Sequence, residues 1–196
     1  MKYIVLLGDG MADEPLAELG GKTPLEYAAT PHMDYLARGG ETGLVRTVPE
    51  GFPPGSDVAN LSVFGCDPKA CYTGRSPLEA ASMGVELGPE DVAFRLNTVF
   101  LDTCGEQFVM GDFSAGHITT AESEQLIGIL QQELGGGKFN FYPGVSYRHL
   151  MVWKGGAEEV ALTPPHDITR QQITPFLPRG NGAKQLILLM NSSMVL

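Results

Sequence analysis

The sequence has 196 residues and a mass of 21.0 kDa, and its 43% hydrophobic and 18% charged residues are ordinary for a globular protein. No apolar run approaches the roughly 18 residues of a membrane span, and a formal net charge of −10 argues against nucleic acid as the main partner. The three cysteines are an odd number without metal-type spacing, so we expect a cytoplasmic protein without a disulfide framework and without membrane attachment.

Residues 1 to about 90 have the pattern of an α/β unit with parallel strands. The apolar run at residues 3–7 predicts a buried strand. Thr-Pro-Leu-Glu at 23–26 is a capping-box pattern, and the apolar spacing continues this helix to Gly39 and Gly40, with a break at Pro31. Residues 43–48 predict the next strand, and Ser-Pro-Leu-Glu at 76–79 opens a helix that ends at Gly84.

Residues 91 to about 175 have the pattern of a smaller α+β lobe. Val92 to Leu101 and residues 107–110 predict a hairpin. A helix is predicted from Thr119 or Thr120, with Glu122 able to complete its cap, to the glycines at 135–137. Residues 139–142 and 146–153 are again typical of strands. The chain then ends on an apolar segment without a polar tail, so we expect that it was cut from a longer polypeptide.

Two stretches within residues 1 to about 90 place polar groups where they could bind phosphate. Asp9 lies between two glycines past the first predicted strand, where it is either a ligand for a divalent cation or part of a turn. Ser56 precedes a predicted short helix, so it is either an N-cap or a nucleophile whose phosphate ester the helix N-terminus would stabilise. Asp57 is equally well explained as a dipole partner, and Arg75 and Arg95 as partners of nearby acids.

In the smaller lobe, polar residues lie in glycine-rich or proline-rich surroundings. His117 either binds an anion or caps a helix, and Arg148 offers a fork for carboxylate or phosphate oxygens. His149 can donate or accept a proton, but adjacent strand positions point to opposite faces, so one sheet face cannot present it together with Arg148 unless the strand has a bulge. Pro-Pro-His-Asp, with His166 and Asp167, is either a substrate loop or an ordinary turn.

Taken together, these motifs resemble the archaeal-type, bisphosphoglycerate-independent phosphoglycerate mutases of the alkaline phosphatase superfamily, in the same order and over almost the whole chain. The matching stretches are Val-Leu-Leu-Gly-Asp-Gly-Met-Ala-Asp (5–13), Lys-Thr-Pro-Leu-Glu (22–26), Gly-Ser-Asp-Val-Ala-Asn-Leu-Ser-Val (55–63), Tyr-Thr-Gly-Arg-Ser-Pro-Leu-Glu-Ala (72–80), Ser-Ala-Gly-His-Ile (114–118) and Gly-Val-Ser-Tyr-Arg-His (144–149).

The resemblance implies a fold, a reaction and a set of site residues. It implies a partial alkaline-phosphatase-like core with parallel strands over residues 1–90, an inserted substrate-binding α+β lobe over 91–175, and a return segment over 176–196 to a core that is cut short. It implies that Ser56 is the nucleophile that interconverts 3-phosphoglycerate and 2-phosphoglycerate through a phosphoserine. Asp9 and Ser56 would contact two divalent cations, Mn²⁺ or Mg²⁺ with Zn²⁺ as an alternative. The implied substrate-binding residues are His117, Arg148, His149, His166 and Asp167.

The sequence departs from that family at its end. Members carry further Asp and His ligands after the inserted lobe, whereas no Asp, Glu or His follows residue 175 here. We therefore expect an amino-terminal portion with incomplete metal sites, no turnover alone and an uncovered apolar core that favours self-association. Two alternatives stay open: a related phosphotransferase acting on another small acceptor such as homoserine, and a non-catalytic module that binds a phosphorylated metabolite.

Overall fold

The computed structural model describes residues 1–52, 54–156 and 159–196, and it is a mixed α/β structure. These residues divide into two compact units, Met1–Pro54 and Gly55–Leu196. The functional boundary predicted near residue 90 stays a prediction. None of the helices in the described ranges has the length and apolar character required to cross a membrane.

The first unit consists of short helices, and none of its described residues is buried. It contains a 3-10 helix at Ala17–Leu19, α1 at Pro24–Tyr27 and α2 at Pro31–Gly39. The predicted capping box is confirmed, because Thr23 Oγ1 accepts from the Glu26 N–H at 3.2 Å and the Glu26 carboxylate accepts from the Thr23 N–H at 2.9 Å. The predicted break and end are also confirmed, since Pro31 opens α2 and Gly40 is its C-cap.

The two strands predicted in this unit do not form. Residues 3–7 and 43–48 belong to no strand, and their apolar side chains are exposed, with Ile4 at 92% and Leu44 at 105%. A buried parallel strand is stable only when neighbouring strands satisfy its N–H and C=O groups. Within residues 1–52 no strand lies beside either segment. The two strand predictions were therefore wrong for this chain.

The second unit contains most of the regular structure. Its helices are α3 (Ser56–Val63), α4 (Pro68–Cys71), α5 (Arg75–Ser82), α6 (Thr120–Leu134) and α7 (Ala183–Ser193), with 3-10 helices at Pro165–Ile168 and Thr174–Phe176. Its strands are β1 (Asp91–Asn97), β2 (Phe100–Cys104), β3 (Gln107–Asp112), β4 (Phe139–Tyr142), β5 (Arg148–Lys154), β6 (Val160–Ala161) and β7 (Arg179–Gly180). They form an antiparallel sheet in the order β1–β5–β4 and two antiparallel pairs, β2–β3 and β6–β7.

The core of this unit lies on both faces of β5. Successive strand residues point to opposite faces, so Leu150 and Val152 form one buried cluster with Ala80 of α5. The other face packs against α6 and α7 through a second cluster, which consists of Ile127, Phe141, Met151, Trp153 and Leu186. Strand β5 is thus the central element, and it fixes the position of residues at its amino-terminal end.

The predictions for α6, β4 and β5 are confirmed, whereas those for β1 and α5 need correction. Thr119 and Glu122 form the expected capping box of α6, and Gly135 is its C-cap. The predicted strand from Val92 to Leu101 is two strands, because the Thr98 N–H donates to the Tyr147 carbonyl at 3.0 Å and the chain then leaves the sheet. As a result, β1 pairs with β5, and only β2 forms the hairpin with β3.

Helix α5 begins two residues earlier than predicted from a cap at Ser76. Its N-cap is Gly74, whose φ of 135° suits glycine, and Arg75 is its first residue, so Ser76 is not a cap. The predicted end near Gly84 is confirmed, because the helix stops at Ser82 and Gly84 has a φ of +70°.

Candidate functional site

Ser56 is the first residue of α3 and is exposed, and Gly55 is the N-cap. The prediction that Ser56 itself caps the helix was wrong, because the extended Gly55 occupies that position. Val58, two residues further along the helix, is fully buried and anchors the start of α3. An exposed hydroxyl at the first position of a helix lies at the positive end of the helix dipole, where a phosphate ester would be stabilised.

Asp57 follows Ser56 and is held by a tyrosine from the next helical segment. The Tyr72 hydroxyl donates to Asp57 Oδ2 at 2.5 Å. Burial raises the pKa of Asp57, but hydrogen bonds from Tyr72 and from backbone N–H groups outweigh it, so the pKa of Asp57 is lowered. Burial and the bond to Asp57 raise the pKa of Tyr72 to about 12. Tyr72 therefore remains protonated and Asp57 ionised at neutral pH.

The two arginines predicted as partners of nearby acids do pair with one. Arg75 Nε lies 3.0 Å and Arg95 Nε 3.1 Å from the same atom, Glu79 Oε1. The three side chains link α5 to β1 across the surface of the second unit. Because all three remain partly exposed, this network contributes little to stability.

Asp9, the predicted metal ligand, lies in the first unit and not in the unit that contains Ser56. It is exposed and is flanked by Gly8 and Gly10. The predicted position at a strand end is wrong, because no strand precedes it. Among the described residues, no three His, Cys, Asp or Glu side chains gather into a group that could hold a metal ion. These residues alone do not complete a metal centre.

The five predicted substrate-binding residues lie on three segments of the second unit that meet at Phe113. The Phe113 ring centroid is 5.6 Å from that of Tyr147 and 6.2 Å from that of His166. The guanidinium carbon of Arg148 lies 5.6 Å from the Tyr147 ring centroid, a cation–π contact. Phe113 thereby brings together the segment that follows β3, the segment that leads into β5 and the 3-10 helix at Pro165–Ile168.

Arg148 and His149 are separated as their adjacent strand positions predict. Arg148 is exposed, whereas His149 is only 2% exposed. His149 Nδ1 accepts from the Gly144 N–H at 3.1 Å, and within the described residues its Nε2 has no hydrogen-bond partner. Burial lowers the pKa of His149 to about 4, so the imidazole is neutral at physiological pH. Nε2 is itself buried, so this nitrogen does not face solvent in the structure.

His117, His166 and Asp167 are all exposed. His117 has a φ of +56°, which is unusual for a residue with a side chain, and it precedes the cap of α6 instead of capping the helix. His166 Nε2 lies 3.3 Å from Asp167 Oδ1, and both belong to the 3-10 helix at Pro165–Ile168. The substrate role of this segment stays a prediction.

Sequence reasoning gave no role to three residues, two beside His117 and one beside Asp57, that hold predicted site residues in place. Asp112 and Ser114 form a dense hydrogen-bond network, and the pattern Asp-x-Ser ahead of a glycine is a turn signal that would have revealed it. Tyr72 carries no such local signal, because its contact with Asp57 joins residues fifteen positions apart.

The structure is an α/β protein with an exposed serine at a helix N-terminus and an antiparallel sheet. Arginine at the start of β5 and histidines in the connections give it a candidate phosphate-handling site. The profile of the 2,3-bisphosphoglycerate-independent phosphoglycerate mutase family matches residues 37–196. The chain belongs to this family.

Relatives over the whole chain agree with this assignment. The chain is 66% identical over 195 residues to a probable 2,3-bisphosphoglycerate-independent phosphoglycerate mutase of Geobacter sulfurreducens, with 100% of this chain and 49% of that protein covered. It is 54% identical over 196 residues to the mutase of Methanosarcina acetivorans, with 100% and 48% covered. The solved structure of the PH0037 protein from Pyrococcus horikoshii matches with a TM-score of 0.60 and 32% identity over 75% of this chain and 35% of that chain. The chain spans about half the length of the curated relatives that it matches.

Proposed function

We propose that the protein to which this chain belongs is a phosphoglycerate mutase that interconverts 3-phosphoglycerate and 2-phosphoglycerate in the cytoplasm. The observation that carries the proposal is the exposed Ser56 at the first position of α3, in a chain of the mutase family. This chain alone does not turn over, because it covers about half of its relatives and its described residues gather no metal site.

In the proposed reaction the Ser56 oxygen attacks the phosphorus of the substrate. The bond from phosphorus to the substrate oxygen breaks as the bond to Ser56 forms. The serine proton ends on the released oxygen, and glycerate is left beside a phosphoserine. Return of the phosphoryl group to the other glycerate hydroxyl gives the isomer. The N–H groups at the start of α3 favour the phosphoserine dianion, and the Asp57–Tyr72 bond holds this end of the helix.

Two divalent cations, Mn²⁺ or Mg²⁺ with Zn²⁺ as an alternative, are part of the proposal, with Asp9 and Ser56 as ligands from this chain. Bound cations would supply positive charge beside the phosphoryl group of a protein whose net charge is −10. The described residues gather no group of three such ligands, and we propose that the longer protein supplies the remaining ones.

The substrate lobe in this proposal is the region around Phe113. Arg148 is exposed and always charged, which suits it to carboxylate or phosphate oxygens. His117, His166 and Asp167 are exposed on the neighbouring segments, whereas His149, the fifth residue of the proposed set, is buried together with its Nε2 atom.

The parallel-strand, alkaline-phosphatase-like core is likewise proposed for the longer protein. The exposed apolar segments at residues 3–7 and 43–48 are what such strands would bury. Because these segments are not paired into a sheet in this chain, their exposed apolar side chains should cause the chain to self-associate. Light scattering of the purified chain measures this self-association.

The deciding experiment uses the full-length protein with 3-phosphoglycerate and Mn²⁺. We expect 2-phosphoglycerate to form, and a phosphorylated peptide containing Ser56 to be recovered after rapid acid quench. Ser56→Ala should abolish both signals, whereas Ser62→Ala, a matched change on the same helix, should keep them. Retention of mutase turnover in the Ser56→Ala protein would refute the proposed nucleophile.

A non-catalytic metabolite-binding module is the second candidate, because the half-length coverage and the absence of a metal group among the described residues both suit it. Calorimetry of the 196-residue chain with 3-phosphoglycerate separates the cases. The module is favoured if the 196-residue chain binds 3-phosphoglycerate without Mn²⁺ and the full-length protein shows no turnover. Phosphate transfer from a nucleotide to a small alcohol such as homoserine would instead indicate a related phosphotransferase.

A further inference from the structure

The loop that follows β3 contains three consecutive residues in the left-handed region. Ala115, Gly116 and His117 have φ values of 50°, 71° and 56°. This region is open to glycine but unfavourable for alanine and histidine, because the Cβ crowds the backbone carbonyl. Two strained residues in a row of three persist only where surrounding contacts hold them. We call residues 112–118 the Asp112 loop.

The contacts that hold this loop converge on one carboxylate. Asp112 Oδ1 accepts from the Ser114 N–H and from the Ser114 hydroxyl, both at 2.7 Å, and Oδ2 accepts from the Gly116 N–H at 3.0 Å. Ser114 Oγ in turn accepts from the His117 N–H at 3.1 Å. Ser114 is 1% exposed, so this link is shielded from water. Asp112 is thus connected to His117 through one buried hydroxyl.

The electrostatics of the loop require an ionised carboxylate. Hydrogen bonds from the Ser114 side chain and backbone, and then from the Gly116 N–H, lower the pKa of Asp112. The negative charge is therefore present at neutral pH, where all three donors point to it. A neutral amide in its place would present an NH₂ group to one of these donors.

The Asp112 loop also holds the two other segments that carry predicted substrate residues. Ser146 Oγ donates to the Ile118 carbonyl at 2.6 Å, and the Ser146 N–H donates to Thr120 Oγ1 at 3.1 Å. Ser146 itself has a φ of +55°. Phe113, inside the loop, contacts the rings of Tyr147 and His166. The Asp112 loop is therefore in direct contact with both neighbouring segments.

We propose that Asp112 is a positioning residue, which acts through Ser114 to hold His117 in its left-handed conformation and so prepares the lobe for a phosphorylated carboxylic acid. The inference rests on the proposed function, because it takes His117 as a substrate-binding residue. It assigns Asp112 no contact with the substrate. A carboxylate in contact with the substrate would repel an anionic ligand. Here the Asp112 carboxylate accepts hydrogen bonds from three donors within the loop.

The first arm of the test measures loop order without a ligand. Amide hydrogen exchange, followed by NMR, is compared in the wild-type chain, in Asp112→Asn and in Glu106→Gln, which removes the same charge from the exposed β2–β3 turn. We expect exchange at Gly116 and His117 to accelerate about tenfold or more in Asp112→Asn only, as loss of a charge-assisted bond implies. Unchanged exchange at these two amides would overturn the proposal.

A second variant guards against general unfolding of Asp112→Asn. Ser114→Ala keeps the carboxylate and its bond to the Gly116 N–H, but removes the acceptor of the His117 N–H. Exchange should then accelerate at His117 while Gly116 and the amides of β5 stay protected. Equal acceleration throughout the unit would show a role in folding alone, and would overturn the positioning role.

The second arm measures affinity for 3-phosphoglycerate by calorimetry in a double-mutant cycle. Asp112→Asn and His117→Ala should each weaken binding by about tenfold, and the double variant should bind no more weakly than His117→Ala alone. Independent, multiplying losses would overturn the link through His117. Wild-type affinity in His117→Ala, or no binding by the wild-type chain, would overturn the substrate role proposed for His117, and the exchange arm would then still decide whether Asp112 holds the loop.

Discussion

The buried imidazole of His149 predicts a specific loss of stability in mild acid. The pKa of His149 is lowered from 6.5 to about 4 by burial, and the side chain is only 2% exposed. In the unfolded chain the same imidazole takes up a proton as the pH falls below its ordinary pKa, while in the folded protein it stays neutral until about pH 4. Stability is therefore full above pH 6.5 and is lost as the pH falls towards 4.

The size of this loss follows from the two pKa values. Between about pH 7.5 and about pH 5, uptake of a proton by the unfolded state alone lowers the free energy of unfolding by about 2 kcal/mol. His149→Gln keeps an acceptor for the Gly144 N–H but does not titrate. We expect its free energy of unfolding to change by about 2 kcal/mol less than that of the wild type over the same interval.

Urea unfolding at the two pH values measures this difference. Trp153, the single tryptophan of the sequence, is 6% exposed on the same strand as His149, so its fluorescence reports on this core. His166→Gln is the matched control, because it makes the same substitution at an exposed histidine of the same unit. An identical pH dependence in wild type and His149→Gln would refute the reasoning.

Three further changes test the packing and capping of the second unit. Tyr72→Phe should lower the free energy of unfolding by about 1–3 kcal/mol, because the half-buried Asp57 carboxylate loses a charge-assisted donor. The unfolding midpoint in urea measures this loss. Thr119→Ala should cost about 1 kcal/mol and fray the start of α6, which amide exchange in the first turn detects. Leu150→Ala should cost about 2–5 kcal/mol, since the side chain is fully buried, while Leu126→Ala, at a 46% exposed position, should cost far less; equal midpoints in urea would contradict this.

Local signals predicted much of the secondary structure. The capping boxes at Thr23 and Thr119 were confirmed because they rest on contacts within three residues. Strand pairing was predicted less well, since β1 pairs with β5 across a long stretch of chain and not with the next strand in sequence. The apolar run at residues 3–7 has the composition of a strand, but composition does not supply the neighbours that a strand needs.

In the candidate site, too, features that depend on local sequence were predicted and features that depend on distant contacts were not. The alternation of strand positions was enough to separate Arg148 from His149, and the structure confirms that separation. The convergence at Phe113 was not predictable, because ring contacts with Tyr147 and His166 depend on how three separate segments fold together. The roles of Asp9 and Ser56 in metal binding and catalysis stay predictions.

The strand order β1–β5–β4 has a consequence for protein synthesis. Both edge strands pair with β5, yet β5 is the last of the three to leave the ribosome, and about 50 residues separate it from β1. At about 5–20 residues per second, β1 waits roughly 3–10 s for its partner. During translation the α6 segment and the β2–β3 hairpin, which depend on nearby residues, are free to form first, and the sheet closes only as the central strand emerges.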